Sequence, residues 1–72
     1  MSEDALLRMA NQIAANFRHA TEEEAVASIA THIRQFWTPR MRAETSALAE
    51  HDPGRFDRLV VLALERLASA KR

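Results

Sequence analysis

Seventy-two residues, with ten basic and ten acidic side chains, 47% apolar residues and no cysteine, bound this chain to one small domain with a thin stability margin. Without cysteine, disulfides and most structural zinc sites are excluded, which leaves association with another protein as the remaining common support for so short a chain. Net neutrality excludes a general attraction to phosphate backbones or anionic lipid, and no apolar run approaches the roughly 18 residues of a membrane span.

The opening MSEDALLRM carries acids where a signal peptide needs basic residues before its apolar core, so a cytoplasmic protein is expected. Leu6, Met9, Ala10, Ile13 and Phe17 recur at helical spacing and predict a first helix from about Glu3 to Arg18, capped by Ser2 or Asp4. Thr21 with Glu24 matches a capping box, and the acidic Glu22, Glu23 and Glu24 suit the positive end of a helix dipole. The second helix carries Val26, Ile29, Ala30, Ile33, Phe36 and Trp37 and should end near Trp37, because Thr38 precedes proline. Its short link to the first helix predicts an antiparallel helical hairpin.

Thr38 and Pro39 also suit the cap and first position of a third helix, about Pro39 to Glu50, which is rich in alanine and weakly amphipathic. Asp52, Pro53 and Gly54 read as a turn, followed by a last helix from about Arg55 to Ala70 through Phe56, Leu59, Val60, Ala63, Leu64 and Leu67. Similar apolar steps twenty residues apart, such as Ile13 and Ile33, follow from helical periodicity and do not require a duplication. The expected fold is all-α, a small bundle of three to four short helices beginning with the hairpin, with residues 1–72 forming a single domain.

Projected at about 100° per residue, Phe36 and Trp37 fall on opposite flanks of the stripe centred on Ile33, so one of the two rings should face outward. Val61 and Leu62 likewise project away from the stripe of Phe56, Val60, Ala63 and Leu67. A helix apolar on all sides requires cover on all sides. Here the cover is expected from a partner or a second copy, with an internal core as the alternative.

Chemistry of other kinds finds little support. The few hydroxyl residues suit caps and helix surfaces better than a nucleophile with its base. The one glycine, Gly54, makes no phosphate loop, and His19, His32 and His51 lie on separate elements without metal-ligand spacing. No catalytic, cofactor-binding or metal-binding residue is therefore assigned. What stands out is RQFWTPRMR, residues 34–42, where two aromatics and three arginines crowd together. Aromatic and arginine side chains are enriched at protein interfaces, the rings for buried area and the guanidinium groups for forked hydrogen bonds. Phe36, Trp37, Arg40, Met41 and Arg42 are the expected partner-binding residues, with Asn11 and Gln12 of the first helix as secondary contacts. A nucleic-acid-binding helical regulator gripping phosphate through Arg34, Arg40 and Arg42 is the alternative from another class; a self-associating bundle is a third.

Met9-Ala-Asn-Gln-Ile-Ala14, Phe17, Glu23-Glu-Ala-Val-Ala27, Ile29-Ala30, His32, Phe36-Trp37 and Pro39-Arg-Met-Arg42 together resemble the delta subunit of cytosolic, NAD-dependent, molybdenum-containing formate dehydrogenases. The likeness covers about half the chain, and beyond residue 42 it rests on generic apolar residues. Thr38 departs from the acidic residue associated with that place, although either type caps a helix. The resemblance implies a noncatalytic accessory subunit that holds no cofactor itself. Its partner would be the catalytic alpha subunit and, through it, the beta and gamma subunits. The complex would carry a molybdopterin guanine dinucleotide-type molybdenum cofactor, iron-sulfur clusters, FMN and NAD. In such a complex the delta polypeptide stabilises the holoenzyme or supports cofactor insertion, without nucleic acid or membrane.

Overall fold

Three hydroxyls start three helices in the computed structural model, which describes residues 2–70. Ser2 opens α1 (Glu3–Ala15), its Oγ accepting from the Ala5 amide at 3.2 Å. Thr21 opens α2 (Glu22–Phe36), accepting from the Glu24 amide at 3.2 Å, and Thr38 opens α3 (Pro39–His51), accepting from the Met41 amide at 3.1 Å. Each hydroxyl satisfies one of the amides that a helix start leaves without an internal partner. At Thr21 the capping box takes a variant form. Glu24 Oε1 accepts a 3.0 Å hydrogen bond from the Thr21 hydroxyl itself, so one oxygen both receives and donates.

The fourth helix, α4 (Arg58–Ala70), begins three residues later than the sequence suggested. Pro53–Arg55 form a single turn of 3₁₀ helix, after which Phe56 is extended. Asp57 then caps α4, its Oδ1 accepting from the Leu59 amide at 2.9 Å and its carbonyl from the Val60 amide at 2.9 Å. An aspartate just ahead of an apolar periodic run is a start signal, and it overrides the continuous stripe drawn from Arg55. The first helix also ends earlier than expected, at Ala15, because the chain tightens into i→i+3 turns. The Phe17 amide donates to Ala14 O at 3.0 Å and the Ala20 amide to Phe17 O at 3.1 Å.

No strand occurs among the described residues, and the radius of gyration, 11.0 Å, equals the roughly 11 Å of a compact chain of this length. The main neighbour of α2 is α4, and that of α1 is α3; the contact of α1 with α2, expected as the founding hairpin, is smaller than either. Ile29 and Ile33 of α2 meet Val60 and Ala63 of α4 in a single apolar cluster that also takes in Ala10 and Ala14 of α1 and the rings of Trp37 and Phe56. Ala10, Ala14, Ala25 and Ala63 are wholly buried. These small side chains allow the helices to approach closely enough for a chain this short to enclose a core.

Much of the apolar surplus inferred from the sequence is absorbed internally. Within the 59–64 run, Val60, Ala63 and Leu64 are buried, while Leu59, Val61 and Leu62 are partly buried. Among the described residues Phe36 is the one large apolar side chain left exposed.

Candidate functional site

The α2–α3 corner divides the two rings that helical projection placed on opposite flanks. Phe36 is the last helical residue of α2, and its side chain is 70% exposed; Trp37 is 6% exposed and belongs to the core. The backbone is the cause. Trp37 is the C-cap of α2 with φ −94° and ψ 142°, so it has left the helical progression of 100° per residue and its indole turns inward. Only its amide stays in register, donating to Ile33 O at 3.0 Å. The expectation that Trp37 presents its ring to a partner therefore meets a buried side chain, and Phe36 is the aromatic on offer.

Phe36 lies beside His32, one turn earlier on α2, with ring centroids 4.9 Å apart and planes inclined at 42°. Around them Phe17, Thr31 and Gln35 border a shallow depression. Across the Thr38 cap, Arg40 is exposed and its Nε donates to Glu44 Oε1 at 3.0 Å. Met41 is partly buried against the core. Arg42 is partly buried too, and its Nε is shut off from solvent with no hydrogen-bond partner among the described residues. Phe36 and Arg42 line different depressions, one between α2 and the α1–α2 link and the other between α3 and α4. The three arginines thus form no single free positive face: Arg40 is paired with Glu44, Arg42 is half sunk, and Arg34 alone stands exposed on α2 without an ion pair among the described residues.

Asn11 has a different task from the one expected. Its Oδ1 accepts from the Asp57 amide at 2.8 Å and its Nδ2 donates to Arg55 O at 3.2 Å, tying α1 to the link before α4. Gln12, its neighbour, is exposed. Asp57, to which the sequence reading gave no role, gathers three elements. Besides capping α4 and donating to Asn11, it accepts from Arg18 Nη2 at 3.3 Å. The available signal was the placement of an aspartate ahead of Leu59 and Val60. Among the described residues no group of three or more His, Cys, Asp or Glu side chains is placed to hold a metal ion. No helix among them is long and apolar enough to cross a membrane.

The family described as NADH-dependent formate dehydrogenase delta subunit, FdsD, matches residues 5–64. The chain belongs to this family. The match takes in α1 from Ala5 onward, α2, α3 and the first half of α4, and so extends past the stretch that carried the resemblance in the sequence. No curated protein and no solved structure matches the chain. Membership makes the chain a delta-type subunit of a formate dehydrogenase, an assembly with other subunits.

Proposed function

We propose that this delta-family chain is a noncatalytic accessory subunit of a cytoplasmic formate dehydrogenase, docked on the molybdopterin-containing catalytic alpha subunit. Bound there, it holds that subunit in its assembled, cofactor-loaded state. The observation that carries the reading is the family match over residues 5–64. Phe36 supports it as the exposed ring on an otherwise self-sufficient fold, since aromatic side chains are enriched where proteins meet. Arg40 adds an exposed donor group just past the Thr38 cap, Arg42 adds a second from the hollow between α3 and α4, Met41 backs them, and Gln12 is a secondary contact. Trp37 and Asn11 contribute from inside by fixing the corner and the α4 link.

The mechanism is linkage. A chain that binds only the properly assembled catalytic subunit shifts that subunit toward the assembled form, by about 2.7 kcal/mol when free chain stands at 100 times its dissociation constant. The residues of this chain do not suit the iron-sulfur clusters: with no cysteine, the thiolates that hold them are missing. The molybdenum cofactor, clusters, FMN and NAD are assigned to the alpha, beta and gamma subunits.

Co-expression of the complex with and without this chain tests the proposal. Loss of the chain should lower both the molybdenum content of the catalytic subunit and its formate oxidation; full loading and full activity without it would overturn the accessory role. Phe36→Ala/Arg40→Ala should cut recovery of the alpha subunit on the tagged chain about tenfold. Undiminished recovery would remove this corner from the docking surface.

A further inference from the structure

Although α3 and α4 are consecutive long helices, their backbones approach less closely than those of α2 and α4 or of α1 and α3. A groove is left open between them. Two adjoining hollows, of about 320 and 250 Å³, share Ser46, Leu64 and Ala68. One continues along α3 toward Pro53 and the other toward Pro39, a span of roughly 20 Å at 1.5 Å per residue. Its floor is apolar, with Ala49 and Leu64 buried beneath it, and its rims are the small side chains of Ser46 and Ala68.

The ends of this groove carry opposite charge. Arg42 lines the end near Pro39; among the described residues its buried Nε has no hydrogen-bond partner and its side chain makes no ion pair. Glu50 and Glu65 line the end near Pro53, exposed and likewise unpaired among the described residues. The terminal nitrogens of the Arg42 guanidinium are not shut off as its Nε is, so a carboxylate in the groove can accept a charge-assisted hydrogen bond from them.

We propose that the groove seats a helix of the partner subunit, with aliphatic side chains toward Ala49 and Leu64, a carboxylate on Arg42 and a basic side chain between Glu50 and Glu65. The proposal rests on the accessory-subunit reading and extends its docking corner, which Arg42 already joins, along the length of α3. An extended peptide would need a sheet edge to pair with, whereas an apolar trough between two helices fits the helix-in-groove mode. A second copy of this chain fits less well. Two-fold pairing through this face sets groove against groove, and two concave surfaces leave the hollow empty.

The test is recovery of the catalytic alpha subunit on the tagged chain from cells making the whole complex, with circular dichroism and melting curves to confirm that each variant is folded. Ala68→Trp, at an exposed position lining both hollows, should reduce recovery at least tenfold, as should Arg42→Glu. Arg42→Gln stands in should the charge reversal melt early, and Ala20→Trp in the α1–α2 link should behave as wild type. Wild-type recovery by the groove variants, beside normal capture by the parent chain, would overturn the groove and leave the accessory role intact. Failure of the parent chain to capture any formate dehydrogenase subunit would overturn both. Carbodiimide coupling of the intact complex gives a second readout, with Glu50 or Glu65 expected to join a lysine of the alpha subunit. Coupling confined to Glu22–Glu24, or joining Glu50 or Glu65 to another copy of this chain, would overturn the proposal.

Discussion

Asn11 and Asp57 stand 46 positions apart and are joined by a 2.8 Å hydrogen bond from the Asp57 amide to the Asn11 carboxamide oxygen. The same carboxamide donates to Arg55 O at 3.2 Å, so one side chain on α1 fixes where α4 begins. Asn11→Ala should leave a partly buried amide without its acceptor and cost about 1–3 kcal/mol. At about 4–8 °C per kcal/mol for a domain of this size, the loss is readily visible in a thermal melt. Gln12→Ala, one residue on and exposed, should change stability by less than about 0.5 kcal/mol. Equal effects of the two substitutions would remove the special role given to Asn11.

Trp37 and Phe36 should separate folding from binding. Truncating the 6% exposed Trp37 to alanine should cost about 3–5 kcal/mol, enough to unfold much of so small a protein. Phe36→Ala removes a ring that is 70% exposed, and should shift stability by no more than about 0.5 kcal/mol while weakening capture of the catalytic subunit. Urea titrations of both variants, followed by the capture assay on the folded one, decide the matter. A Trp37→Ala protein as stable as wild type would show that the indole is not part of the core.

Thr45 offers a stabilising substitution. It is fully buried on α3, and its hydroxyl has no hydrogen-bond partner among the described residues. Thr45→Val keeps the branched shape and nearly the same helix propensity while removing the unsatisfied group, so stability should hold or rise by up to about 1 kcal/mol. Thr45→Ser should do the opposite, since it retains a hydroxyl and loses a buried methyl. A melting temperature that falls in the valine variant would reveal a hydrogen bond made by the hydroxyl in solution.

The threonine caps of α2 and α3 should act independently. Thr21→Ala and Thr38→Ala each remove an acceptor for a helix-start amide, at about 1 kcal/mol apiece. They flank a 15-residue helix, roughly 22 Å long, so the double variant should lose the sum of the two within about 0.5 kcal/mol. Thr21→Ser and Thr38→Ser should recover most of each loss. Chemical denaturation of the five proteins against wild type checks all of this.

Local signals along the chain carried far. Thr21, Thr38 and Pro39 marked two helix starts within a residue, and the Ile29–Ile33 stripe named the centre of the core. These readings succeed because a cap or an apolar face depends on residues within a turn or two of each other. The start of α4 was legible in principle, since Asp57 is a local cap as well, but Phe56 seemed to continue the helical stripe and hid it. The exposed and buried aromatics could not be sorted by projection, because the rule assumes a helical backbone that Trp37 no longer follows.

The all-helical class, most helix limits and the family signature were thus set by order and spacing alone, because short-range hydrogen bonding and apolar periodicity are written in consecutive residues. Which ring faces water, why Asn11 is spent inside the molecule, and that α3 and α4 part to leave a charged-ended groove depended on how the four helices assemble. Those outcomes turn on contacts between residues tens of positions apart and on one cap where the backbone changes direction. Periodicity along a single helix carries no record of either.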